Sequence, residues 1–167
     1  LNVLVGKMLL AAKIDDSDFK LNREKVDLSA LVAAEVGRHS YENTTIDTEL
    51  GNEILASIDT ESIDTILSNL IDNAVKYDST RVVISLKKEN SQILLMVSDN
   101  GQGIDEVERE KIFERFYRIG SEDTRQTKGT GLGLYIVKTL IEMHGGLITV
   151  SNNSEKGSTF TIQFNAE

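Results

Sequence analysis

The chain has 167 residues, 40% of them apolar, which suits one domain with a short appendage and one continuous core. A net charge of −9 argues against a nucleic-acid partner, because phosphate binding needs clustered lysine and arginine. The absence of cysteine excludes disulfides and cysteine-based zinc sites, and no apolar run approaches the roughly 20 residues needed to span a bilayer.

Residues 1–13 read as a helix. Leu1, Val5, Met8 and Ala12 recur at spacings of four, three and four, either a coiled-coil-like seam too short to be stable alone or the first helix of the globular domain. The start at Leu1, with no basic leader, reads as a chain whose upstream part, and any membrane anchor in it, has been removed. The polar stretch from Asp15 to Asp27 reads as a linker, after which Asp27 or Ser29 caps a second helix through Leu31, Val32 and Val36. Strands are expected at 44–50 and 53–58, separated by a Gly51-Asn52 turn. Asp59-Thr60-Glu61 opens a helix whose apolar stripe is Ile63, Ile66, Leu67, Leu70, Ile71 and Ala74.

Two more strands follow at 82–86 and 93–97. The next segment, 100–128, is rich in glycine and charge, carries one short helix near 106–113, and is longer than a passive connection, which favours a lid. Residues 118–130, polar and poor in core-forming positions, are expected to be mobile without ligand. A helix over 132–144 stops at Gly145-Gly146, and strands at 147–151 and 158–164 turn through Glu155-Lys156-Gly157. The pattern predicts an α/β domain with a largely hairpin-connected sheet and helices on one face.

Three clusters in this frame carry chemistry. Asn69, Asn73 and Lys76 form a stripe beside the apolar face of the third helix, able to offer amide oxygens to Mg²⁺ and an ammonium to phosphate, or to form a merely solvated edge. Asp99-Asn100-Gly101-Gln102-Gly103-Ile104 ends a strand in which Asp99 shares a face with Ile93, Leu95 and Val97. A carboxylate at the mouth of an apolar pocket suits an exocyclic amine such as that of adenine; the plainer alternative is a connecting turn. Lys128-Gly129-Thr130-Gly131-Leu132-Gly133-Leu134 opens a helix, an anion site or a flexible linker. Leu134 stands where a dinucleotide fingerprint needs its third glycine, and the run lacks the Gly-Lys-Ser/Thr of a P-loop. Between the last two clusters, Phe113 and Phe116 at i, i+3 can pin a segment to the core, and Arg118 can reach a γ-phosphate.

Taken in order, these runs resemble the four boxes of bacterial sensor histidine kinases, and Val26-Asp27-Leu28, His144-Gly145-Gly146 and Gly157-Ser158-Thr159-Phe160 fit the flanks. The resemblance implies a Bergerat fold: a two-layer α/β (α+β) sandwich, a mixed and mostly antiparallel sheet with three helices on one face and a mobile ATP lid. It implies residues 1–26 as the end of a dimerisation helix and linker, and 27–167 as the catalytic ATP-binding kinase domain. By resemblance Asn73 binds Mg²⁺ with Asn69 assisting, Lys76 meets phosphate and Tyr77 borders the nucleotide. Asp99 takes the adenine amine, Gly101, Gly103 and Ile104 shape the base pocket, and Arg118 approaches the γ-phosphate. Gly129, Thr130, Gly131, Leu132, Gly133 and Leu134 fold the lid over the triphosphate, and Thr159 supports the base through water. The implied partners are ATP or ADP, the chain's own helical phosphoacceptor domain and a response regulator. The implied setting is the cytoplasmic part of a membrane-anchored, homodimeric sensor, with this stretch alone read as monomeric.

Asp78 departs from the family's usual Ser or Thr, and Lys128 from a common glycine. Neither His39 nor His144 has the context of the family's phosphorylated histidine, so both read as structural. The nearest rivals are an anti-sigma-factor serine kinase of the same fold, and a non-catalytic ATP-binding or purely interacting module.

Overall fold

The computed structural model describes residues 2–120 and 129–166. Helix α1 (Asn2–Asp15) leads into strand β1 (Glu24–Asp27), helix α2 (Leu28–Val36), strands β2 (Thr45–Leu50) and β3 (Leu55–Ile58), and helix α3 (Thr60–Lys76). Strands β4 (Arg81–Glu89) and β5 (Gln92–Asp99), two 3₁₀ turns (Glu106–Glu108 and Lys111–Phe113), helix α4 (Gly133–Met143) and strands β6 (Leu147–Asn152) and β7 (Ser158–Asn165) complete it. Among the described residues no helix is long and apolar enough to cross a membrane.

Five strands form one sheet in the order β2-β4-β5-β7-β6. Only β2 against β4 is parallel; the other three pairings are antiparallel. The sheet is therefore mixed and mostly antiparallel, as the resemblance implies. Alternation then sets its faces: Val82, Ile84 and Leu86 of β4, Ile93, Leu95 and Val97 of β5, and Phe160, Ile162 and Phe164 of β7 are all buried. Against them lies the α3 stripe, in which Ile63, Ile66, Leu67, Leu70, Ile71 and Ala74 are buried as the periodicity predicts, with α4 adding Ile136, Val137, Leu140 and Ile141. Both capping expectations are met by aspartates. The Asp27 carboxylate accepts from the Ser29 and Ala30 amides at α2, and that of Asp59 accepts from Ser62 at α3.

Four local expectations need correction. The two strands around Gly51-Asn52 do not form a hairpin: β2 lies parallel to β4, and β3 pairs antiparallel with β1 in a separate two-stranded sheet. The stretch read as linker thus contains a strand, β1, whose register sets Val26 opposite Ala56. The short helix near 106–113 is two 3₁₀ turns. The Phe113–Phe116 pair also divides: Phe113 is buried and meets Phe160 edge-on, whereas Phe116 is 58% exposed.

The predicted seam of α1 does not face the domain. Val5 and Met8 are exposed, and Leu1 lies outside the described residues. The helix instead docks through Ala11 and Ile14, both buried in the core.

Candidate functional site

The end of β5, the C-terminal half of α3, the segment after β5 and the start of α4 enclose a cavity of about 650 Å³, within the range of small-molecule sites. Asn69, Asn73, Lys76, Tyr77, Asp99, Gly103, Ile104, Arg118, Gly129, Thr130, Gly131, Gly133 and Leu134 line it, which brings together residues from all the clusters picked out in the sequence.

Strand alternation carries the buried face of β5 on to Asp99, whose carboxylate is therefore delivered inside the cavity rather than to solvent. Its Oδ1 accepts from the Gly101 amide at 2.8 Å and the Ser79 hydroxyl at 3.2 Å, and its Oδ2 accepts from the Ser158 hydroxyl at 3.3 Å. Gly101 does not line the cavity. It makes room behind the carboxylate, where a Cβ would sit 2.6 Å from the Tyr77 carbonyl oxygen and 2.7 Å from Ser79 Oγ.

Ser79 and Ser158 are buried partners that the sequence motifs do not single out, although Ser158 falls in phase with Phe160 and Ile162 on β7. That phase also corrects the role given to Thr159. It pairs with Ser98, on the other face of the sheet, where its hydroxyl bonds Asn153 Oδ1 at 2.6 Å and Ser98 Oγ at 2.9 Å. Ser158 is the residue beside the carboxylate.

Asn69 and Asn73, one helical turn apart on α3, face the same cavity. The Asn69 amide nitrogen donates to the Thr65 carbonyl at 2.8 Å, which fixes the side chain so that Oδ1 points away from its own helix. That oxygen is buried and has no hydrogen-bond partner among the described residues. An orphaned acceptor of this kind fits a hard cation or a donor group, since a buried polar atom left unpaired costs about 1–3 kcal/mol. Among the described residues no group of three or more His, Cys, Asp and Glu gathers as a metal site, and the amide side chains of Asn69 and Asn73 are the candidate ligands that line this end.

Lys76, on the last turn of α3, and Lys7, reaching in from α1, line this end as well. Burial, then the neighbouring charge of Lys76, holds the Lys7 ammonium below the usual lysine range, with Asp72 opposing. The sequence reading missed Lys7, because it followed the apolar seam of α1 rather than the opposite stripe.

The glycine run crosses the Phe-rich segment at one tight point. Gly131 has φ +72°, and a Cβ there would lie 2.6 Å from the backbone carbon of Phe116. Phe116 is itself left-handed, φ 62°, with its amide donating to the Gly131 carbonyl at 2.9 Å. Leu132, expected against the nucleotide, is 1% exposed and belongs to the core, an anchor between the two lining residues Gly131 and Gly133. Arg118 stands near Gly129, whose Cβ position is 3.7 Å from the guanidinium Nε. Lys128, and most of the segment expected to be mobile, lie outside the described residues. Asp78, the other departure from the family pattern, follows the Tyr77 cap of α3 in a left-handed conformation, φ 62°, and accepts from the Gln102 amide at 3.1 Å.

Residues 58–167 match the family described as histidine kinase-, DNA gyrase B- and HSP90-like ATPases. The sensor protein SrrB of Staphylococcus aureus is 34% identical over 98% of the chain, which spans 29% of that protein's length. Full-length ShkA, solved in complex with AMPPNP, superposes with a TM-score of 0.82 at 25% identity, over 99% of this chain and 36% of that one. The catalytic domain of histidine kinase ThkA gives 0.74 at 26%, over 87% of this chain and 96% of that one. The chain belongs to the histidine kinase-, DNA gyrase B- and HSP90-like ATPase family, and is an ATPase domain homologous to those of sensor histidine kinases.

Proposed function

We propose that this chain binds Mg-ATP in the cavity and presents its γ-phosphate to a histidine on a helical phosphoacceptor domain, as one step of a two-component phosphorelay. The observation that carries this reading is the polarity of the cavity. One end offers a buried carboxylate among apolar walls; the other offers the orphaned Asn69 oxygen, Lys76 and the glycines that begin α4. Tyr77, beside the carboxylate end through Gly101, and Asn69 are eight residues apart on or capping α3. That is about 12 Å of helix, the length scale of a nucleoside triphosphate.

Within this reading Asp99 accepts the adenine amino group, and the two serines behind it keep the carboxylate aimed. Asn69 and Asn73 would hold Mg²⁺ by their amide oxygens. When bound, the ion would neutralise charge on the transferring phosphoryl group, the main requirement of such chemistry. Lys76 and Arg118 add positive charge from α3 and from the segment ahead of the glycine run. Among the described residues of the cavity none stands out as a general base, and we assign that role to the acceptor side. We further propose residues 1–26 as the end of a dimerisation helix and its linker and 27–167 as the kinase domain, a response regulator as the downstream partner, and the cytoplasm as its location. The exposed apolar side chains of α1, including Val5 and Met8, support a helical partner.

Calorimetry with and without Mg²⁺ tests the metal assignment. ATP should bind more tightly with the ion, and Asn73→Ala should lose most of that gain. A variant that keeps the full Mg²⁺ enhancement refutes it.

A further inference from the structure

Over residues 3–15 of α1, the side chains withdrawn from solvent are Lys7, Leu10, Ala11 and Ile14. These positions make one helical stripe, and it faces the domain. Ala11 and Ile14 sink into the core, 3% and 5% exposed. At the end of the helix Asp15 is clamped twice, by the Arg115 guanidinium and by the Tyr135 hydroxyl at 2.5 Å, and Arg115 in turn stacks over the Tyr135 ring. Two apolar anchors and a charged clamp thus fix the rotation of α1. One turn above Ala11 the same stripe presents Lys7, its one charged member.

Fixed in this way, Lys7 faces the nucleotide cavity at the end defined by Asn69. A Cβ built on Gly133 would lie 3.5 Å from the Lys7 ammonium and 2.8 Å from Asn69 Oδ1. Lys76 lines the same end. Among the described residues Lys7 takes part in no ion pair, although burial removes much of its hydration. Two ammonium groups and the first residues of a helix around one space make a site for a polyanion.

We propose that Lys7 is a phosphate-binding residue, so that α1, which lies ahead of the ATPase sandwich, completes the site for the nucleotide's phosphate tail. The proposal rests on the ATP reading above, and it predicts that only nucleotides carrying that tail sense α1. Lys7 is a contact residue here, and the Ala11, Ile14 and Asp15 anchors position it.

Calorimetry on the intact chain separates the possibilities, with ATP, ADP and adenosine as ligands in the presence of Mg²⁺. Lys7→Gln should weaken ATP on the order of tenfold, the scale of one hydrogen bond to a charged group. It should weaken ADP by no more than ATP and leave adenosine unchanged, while Lys7→Arg should keep most of the affinity. Adenosine binding doubles as the check that each variant is folded. ATP affinity of Lys7→Gln within about twofold of the parent overturns the proposal. So does a loss of adenosine in step with ATP, which would mean that α1 merely shields the pocket. A parent chain that binds no ATP removes the ATP reading and this inference together. A parent that binds ATP and is weakened by Asp99→Asn but not by Lys7→Gln leaves the ATP reading standing and this inference refuted.

Discussion

At the scale of single residues, the site turns on a carboxylate whose hydrogen bonds all come from donors. The amide of Gly101 and the hydroxyls of Ser79 and Ser158 surround Asp99, so the lone pairs left over toward the cavity seek another donor. Adenine offers an amino group there, whereas guanine offers a carbonyl. ATP should therefore be preferred over GTP by about 1–3 kcal/mol, the cost of facing two acceptors across a buried contact. Asp99→Asn, which can turn an amide donor to the ligand, should shrink that preference, as competition binding against both nucleotides would reveal. Equal affinities in the parent would refute the assignment. Asp99 was legible in the sequence because its strand alternates cleanly up to the carboxylate. The serine beside it was not, because the motif Gly157-Ser158-Thr159-Phe160 drew attention to Thr159, and only the phase of β7 decides which hydroxyl faces inward.

At the scale of elements, the helices and the two hairpins β4–β5 and β6–β7 were legible, and the strand pairings across helices were not. Periodicity and capping aspartates are local properties, so α2, α3 and α4 can be drawn from sequence within a residue or two. Pairing of β2 with β4, and of β1 with β3, joins segments separated by whole helices, and no local pattern encodes it. A histidine shows how such elements are then tied together. His144, buried at the end of α4, donates from Nδ1 to the Leu140 carbonyl at 2.6 Å and accepts at Nε2 from the Asp59 amide at 3.1 Å, at the start of α3. Accepting at Nε2 requires the neutral ring, and burial holds its pKa below the usual histidine value. The unfolded chain therefore binds the proton first on acidification. Stability from this group is complete above the unfolded pKa, near 6.5, and falls as pH drops below it toward the folded value. Urea unfolding at about pH 7.5 and about pH 5.5 tests the sign. The parent should lose more stability on acidification than His144→Phe, which should itself be weaker at the higher pH by about 1–3 kcal/mol through the unpaired Asp59 amide. Parallel losses in the two proteins would show that His144 does not titrate in this way.

At the scale of the whole molecule, the proposed function makes the cavity the seat of a phosphoryl donor, but no acceptor stands beside it among the described residues. In-line transfer needs a nucleophile at near-contact distance from the γ-phosphate. His144 cannot serve, since both ring nitrogens are engaged and the side chain is packed against Phe164 in the core. His39 lies just after α2 in a polar cluster of its own. Its Nε2 faces Glu35 at 3.2 Å and Ser68 at 3.4 Å, while Nδ1 faces the Tyr41 hydroxyl at 3.4 Å, itself bonded to Asp72. It borders a separate surface groove with Tyr41, Thr44 and Ile46 rather than the nucleotide cavity. Incubation with γ-labelled ATP should therefore leave this chain unlabelled, even under conditions in which it binds the nucleotide. Adding a separate helical-hairpin domain that carries a phosphoacceptor histidine should place acid-labile label on that domain, and the label should vanish with Asn73→Ala in this chain. Stable label on the chain itself, abolished by His39→Gln or His144→Gln, would mean that the fold brings an internal acceptor to the phosphate, and the reading of this chain as a donor module would be lost.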